Sequence, residues 1–177
     1  IDLVAGIVET HGRAETAALL SGLPQVPLKT LVYRGIDIRE MDVDAVISRR
    51  PAVVLVDELA HTNAPGSRNA KRYQDVEEIL SAGIHVISTM NVQHLESLYN
   101  TVERATSVKV RERLPDHILS EADQIVNVDI TTEDLRGRLK EGKIYSKDRV
   151  DTALSKFFVT TNLEQLRELT LRELAAH

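Results

Sequence analysis

Residues 51–58 read Pro51-Ala52-Val53-Val54-Leu55-Val56-Asp57-Glu58, and this stretch decides the fold. Ala52 to Val56 is an unbroken apolar run without polar alternation, the pattern of a strand buried on both faces, and it ends abruptly in two carboxylates. Leu3 to Val8, Leu28 to Tyr33, His85 to Thr89 and Gln124 to Val128 have the same Val/Ile/Leu-rich character on either side of it. Between these runs lie Ala14 to Leu20, Asp42 to Arg49, Arg72 to Ala82, Leu95 to Ala105 and Asp116 to Ala122, each with apolar residues at three- and four-residue spacing. Strands alternating with helix-length crossovers predict an α/β domain, a parallel sheet covered by helices on both faces in three layers, over residues 1–130. From Thr131 onward the strand signal stops. Thr131 to Lys140, Arg149 to Phe158 and Leu163 to Ala175 read as helices, the last opened by Asn162 with Gln165 as a capping pair. Residues 131–177 are therefore expected to form a helical extension packed on the α/β body.

Composition excludes several classes. At 177 residues, with 42% hydrophobic and 28% charged residues, the chain is of globular type. Twenty-two Lys and Arg against 27 Asp and Glu give a net charge of −5, which argues against nucleic acid as a partner. No apolar run approaches the ~20 residues needed to cross a bilayer, and the N-terminus lacks a basic segment followed by an apolar one, so neither membrane insertion nor secretion is expected. The absence of cysteine excludes disulfides, thiolate metal sites and cysteine nucleophiles, and fits a reducing cytoplasm. Leu3 to Val8 begins with no turn or capping signal before it, so further residues are expected to precede Ile1.

Parallel α/β sheets bind ligands at the carboxyl ends of their strands. Three such ends are rich in ionisable groups: Glu9-Thr10-His11-Gly12-Arg13, then Asp57 through Ser67, then Asn91-Val92-Gln93-His94-Leu95-Glu96. Polar groups placed directly after apolar strands are costly unless they face a polar cleft, so one shared site is the expectation. Strand 51–58 has the form of a Walker B strand. There Asp57 would orient a Mg²⁺ ion through water and Glu58 would polarise an attacking water near a γ-phosphate. The structural alternative is that Asp57 merely caps the next turn. The phosphate-binding loop that should accompany such a strand is missing. Gly137 to Ile144 has the GxxxxGK spacing, but it follows a helical segment instead of a strand and ends in Ile where a hydroxyl is required. The loop is expected upstream of Ile1.

Two other readings stay open. Glu58-Leu59-Ala60-His61 has a metal-ligand spacing and, with His11, His94, Glu9 and Glu96, suggests a metal-dependent hydrolase, although the pair leaves a strand for a Pro-Gly loop instead of sharing a helix face. A ligand-free interaction domain is the other. Arg13 and Arg68 stand where a guanidinium would clamp phosphate or answer the acidic pair, and a cation opening the helix after Arg13 opposes the helix dipole. His85 and His117 read as ordinary core or loop residues.

Taken together, Val8 to Arg13, Val56 to Ser67 and Asn91 to Glu96, in this order and with Tyr33-Arg34-Gly35, Gly142 to Tyr145 and Asn162 to Arg172, resemble the N-terminal cytoplasmic domain of the KdpD family of osmosensitive potassium-channel sensor histidine kinases. The resemblance implies a P-loop NTPase type of three-layer fold whose Walker A loop precedes the segment matching Ile1. It further implies a regulatory domain of a two-component sensor kinase, cytoplasmic within an inner-membrane protein, that controls expression of a potassium pump. The expected cofactor is ATP with Mg; by position and chemistry alone, Asp57, Glu58, Thr62, Glu9, Arg13, Asn91 and Gln93 are the expected nucleotide-binding residues, with Asp57 on the metal. The implied partners are the remaining domains of the parent kinase and, through it, a response regulator; self-association and weak nucleotide hydrolysis are left open. The membrane helices, phosphoacceptor module and catalytic module are expected outside this segment, so none of its six histidines is expected to be the phosphorylated one.

Overall fold

Val53 to Val56 forms the central strand of a three-stranded parallel sheet, in a computed structural model that describes residues 1–177. The elements in chain order are β1 (Leu3–Ile7), α1 (Ala14–Ser21), β2 (Lys29–Tyr33), β3 (Ile36–Glu40), α2 (Val43–Arg49), β4 (Val53–Val56), α3 (Arg72–Ser81), β5 (His85–Ser88), α4 (Tyr99–Thr106), α5 (His117–Glu121), α6 (Thr132–Lys140), α7 (Lys147–Ser155) and α8 (Thr160–Ala176). The sheet order is β1-β4-β5, with Leu3 opposite Val53 and Val53 opposite His85. Val4, Val54 and Val56 are fully buried along it. The fold is thus α/β, and the apolar run that ends in Asp57 is its middle strand.

Two predicted strands are corrected. Leu28 to Tyr33 does not enter the parallel sheet; β2 pairs antiparallel with β3, from Lys29 opposite Glu40 to Tyr33 opposite Ile36. The reversal is made by Arg34 and Gly35, both at positive φ (51° and 78°), as a two-residue hairpin turn demands. The run's apolar character does not signal burial, because Val32 is 71% exposed on a ribbon with no sheet packed over it. β3 itself shows the alternation of a half-buried strand, Ile36 and Ile38 against Asp37 and Arg39, which sequence reading passed over. The second correction is Gln124 to Val128. It forms no strand, pairs with nothing, and leaves Val128 90% exposed. A strand needs a ladder partner, and no edge is paired with it here.

Helix starts follow local chemistry. Asp42 caps α2 through its Oδ1, which accepts from Ala45 N at 2.9 Å. Thr131 caps α6 by accepting from Asp134 N at 3.1 Å. The expected Asn162/Gln165 cap is displaced, because α8 already starts at Thr160. Asn162 is buried within the helix, and its amide donates to the carbonyls of Lys156 and Phe157. Leu95 opens no long helix either; it is extended between two short 3₁₀ turns, and Leu114 N donates to His94 O while Glu96 N donates to Leu114 O.

The chain divides into two compact units, Ile1–Met90 and Asn91–His177, whereas the sequence reading drew its boundary at 130/131. The first unit holds both sheets and α1–α3. The second holds α4–α8 around a core that includes buried Leu95, Val102, Leu114 and Leu139.

Gly6 shows how tightly the first unit is packed. A Cβ at this position would stand 2.8 Å from Val54 Cγ2 and 3.0 Å from Met41 Sδ, beside the register irregularity where β1 leaves β4. Gly6→Ala is expected to destabilise the chain by about 1–3 kcal/mol, the range for overpacking a dense core. Urea unfolding checks this, and an unchanged midpoint would show that the strand interface yields.

Candidate functional site

The site is built on the first residue after β4. Asp57 N continues the ladder by donating to Ile7 O at 2.9 Å. Its side chain then turns back over the sheet end. Oδ2 accepts from Glu9 N at 3.0 Å, and Oδ1 accepts from Glu58 N at 3.0 Å and from the Thr89 hydroxyl. One carboxylate therefore ties the loops that follow β1, β4 and β5. Peptide N–H groups at strand ends lack ladder partners, and a carboxylate accepting two or three of them is a strong, charge-assisted arrangement.

Beside it stands a strained pair. Glu58 (φ 54°) and His11 (φ 50°) both occupy the left-handed region, which costs a non-glycine residue roughly 1–2 kcal/mol. Glu58 is held there because its N–H also lies 3.1 Å from Thr89 Oγ1, while Leu59 N donates to Thr89 O at 2.9 Å. With the backbone so fixed, the Glu58 carboxylate meets His11 Nε2 at 2.6 Å, and both side chains stay about half exposed. Residues held in costly backbone conformations cluster at working sites.

Beneath the rim lies a buried charge network. Arg72, the first residue of α3, is completely buried. Its Nη1 donates to Asp57 O at 2.9 Å, its Nη2 to Glu40 Oε2 at 3.3 Å, and Glu9 Oε1 lies 3.8 Å away. A cation at a helix N-terminus opposes the helix dipole, so this guanidinium stays buried only because carboxylates answer it. Glu40, at the end of β3, also accepts from His61 Nε2 at 2.9 Å and Ala64 N at 2.9 Å. Burial pushes the Glu40 carboxyl up, but the bonds from His61 and Ala64 N and the charges of His61 and Arg72 outweigh it and hold the group below its ordinary value.

The residues singled out from sequence fall as follows. Glu9, His11, Asp57 and Glu58 share the rim at the ends of β1 and β4. Arg13 precedes α1 in extended backbone, with its N–H donating to Thr10 O at 2.9 Å. Thr62 is exposed, and its hydroxyl accepts from Lys71 Nζ at 2.9 Å. Arg68 is engaged by Asp44 and Glu78. Asn91 and Gln93 belong to the second unit, around the 3₁₀ turn Val92–His94. The histidines of the hydrolase reading are each bound elsewhere: His11 to Glu58, His61 to Glu40, and His94 Nδ1 to Glu112 O at 3.0 Å. Sequence reading missed Glu40, Arg72 and Thr89. Arg72 carried a signal, a cation in the first turn of a helix, the same one that drew attention to Arg13.

Because the Glu40 carboxyl is lowered in the folded state, its contribution is present above the ordinary carboxylate value and lost as pH falls through the lowered one. Glu40→Gln leaves Arg72 buried without its main counter-charge and is expected to cost about 3–5 kcal/mol. Urea unfolding of both proteins checks this: the gap should be full at neutral pH and shrink in acid, and equal stability at neutral pH would refute it.

A family profile described as "KdpD: Osmosensitive K+ channel His kinase sensor domain" matches residues 1–177. A "Putative sensor protein KdpD" of Synechocystis sp. is 56% identical over 174 residues, covering 98% of this chain and 47% of that protein. The "Sensor protein KdpD" of Escherichia coli is 55% identical over 175 residues, covering 99% of this chain and 20% of that protein. That of Mycobacterium tuberculosis is 56% identical over 174 residues, covering 98% and 20%. The chain thus spans about half the length of the first relative and a fifth of the other two. With every residue matched by the profile, the chain belongs to the KdpD family, as its osmosensitive K+ channel histidine-kinase sensor domain.

Proposed function

We propose that this domain is the cytoplasmic regulatory part of an inner-membrane, two-component sensor histidine kinase controlling potassium-pump expression, and that it binds ATP with Mg at the Asp57 rim. One observation carries the nucleotide reading: the acidic pair stands at the carboxyl end of the central strand of a parallel sheet, where such sheets take their ligands. In this reading the sheet belongs to a three-layer P-loop NTPase fold completed by a phosphate loop upstream of Ile1. The donor set fits a metal held through water. A carboxylate offers about four lone-pair sites, and Glu9 N, Glu58 N and the Thr89 hydroxyl occupy three at Asp57. Bound Mg would neutralise phosphate charge. Glu58, already aimed outward by its left-handed backbone, would orient water or register the γ-phosphate, and Glu9 and Arg13 would join in holding the nucleotide. Thr62, Asn91 and Gln93 would relay nucleotide state to the helices after residue 130, and through the remaining kinase domains to a response regulator.

A second reading is favoured by the bonds at Asp57 itself. A carboxylate that fastens three loops explains the acidic strand end without any ligand and leaves an interaction domain. Calorimetric titration of the full-length sensor protein with Mg-ATP separates the two. Nucleotide binding predicts measurable affinity, lost by about tenfold or more in Asp57→Ala, the scale of one charge-assisted contact. Unchanged affinity in the variant removes the metal role, and a flat titration of the unaltered protein leaves the fastening role.

A further inference from the structure

β3 is paired along one edge only, by β2. Its register and the two-residue turn at Arg34 and Gly35 fix which of its backbone groups face outward. The pair that closes such a turn, Tyr33 with Ile36, is hydrogen-bonded, and bonded and non-bonded pairs alternate from there. Leu31 with Ile38 and Lys29 with Glu40 are therefore bonded within the hairpin. The N–H and C=O groups of Asp37 and Arg39 point the other way, and no group of the chain meets them. Both side chains are exposed, and neither forms an ion pair or hydrogen bond within the chain. Apolar groups are uncovered as well, with Val32 71% and Ile36 66% exposed. A two-stranded ribbon is marginal by itself, and an open edge is a template for another strand.

The charges on this edge select its partner. An edge guarded against other strands carries like charges, which repel a second copy. Asp37 and Arg39 instead have opposite signs and alternate with Ile38, so they share one face. Let a second β3 lie antiparallel to the first, with the twofold axis at Ile38. Asp37 of each copy then stands opposite Arg39 of the other. This arrangement brings the outward backbone groups together, giving four N–H to C=O bonds and two reciprocal ion pairs. A slip of two residues either way sets Asp37 against Asp37 or Arg39 against Arg39, so like charges reject both neighbouring registers. β2 offers no such match, because a twofold axis at Leu31 sets Thr30 against Val32.

We propose that β3 is a self-association edge, along which two copies of this chain pair antiparallel about Ile38 into a four-stranded sheet. The contact is isologous, so it closes at two copies. Its area is small, and the dimer is accordingly weak and concentration-dependent.

Sedimentation velocity of the purified chain, from micromolar to millimolar concentration, should show a monomer–dimer equilibrium. Asp37→Arg and Arg39→Asp each set like charges opposite one another and should each weaken the dimer by about tenfold or more. Mixing the two variants should restore a dimer, since every facing pair is then Arg with Asp. Melting temperatures close to that of the unaltered chain check that both variants fold. A second measurement does not depend on charge. The chain has no cysteine, and Ile38→Cys places two sulfurs across a non-hydrogen-bonded pair whose Cα atoms stand about 4.5 Å apart, within disulfide reach. Under copper-phenanthroline it should form a disulfide dimer much faster than Val32→Cys. A monomer at every concentration, single reversals that dimerise like the unaltered chain, a mixture that stays monomeric, or equal cross-linking of Ile38→Cys and Val32→Cys would overturn the proposal.

Discussion

A buried guanidinium at the wrong end of a helix is the constraint from which the first unit is built. Arg72 opens α3, where the backbone N–H groups already point positive, and it is wholly removed from water. Such a charge persists only if carboxylates and carbonyls surround it. Glu40 arrives from the end of the β2–β3 hairpin, Glu9 from the loop after β1, and the Asp57 carbonyl from the end of β4. Three separate stretches are thereby brought to one point, and that point lies directly under the acidic rim.

Above Arg72 the rim is held by hydrogen bonds rather than by apolar contact. The Asp57 carboxylate gathers donors from three loops, and this fixes Glu58 in a backbone conformation it would not adopt alone. The Glu58–His11 contact follows from that placement. Strain in one residue is sustained by the bonds of its neighbour: the Asp57 carboxylate accepts from the loops around it, while the Glu58 side chain meets His11 and stays partly exposed.

Glu40 links this rim to the hairpin and to the loop 61–64, because it accepts from Arg72, His61 and Ala64 N at once. It also lines a small cavity beside Asn63 and Asp75. A change at the hairpin base would therefore be felt at Arg72, and through its bond to Asp57 O at the rim.

The sequence by itself determined the α/β class, the three strands of the parallel sheet, and the placement of Asp57 and Glu58 at a strand end, because these rest on local pattern: unbroken apolar runs, helix-period spacing, and charge directly after a strand. The loops around Glu9, Asp57 and Asn91 were legible as family marks for the same reason, being contiguous in the chain. Only the tertiary structure decided that Leu28 to Tyr33 turns into a hairpin, that Gln124 to Val128 pairs with nothing, and that Glu40, Arg72 and Thr89 complete the site. Strand pairing depends on which edge is free, and a buried ion pair such as Glu40 with Arg72 joins residues far apart in sequence, so no window of neighbouring residues contains either fact.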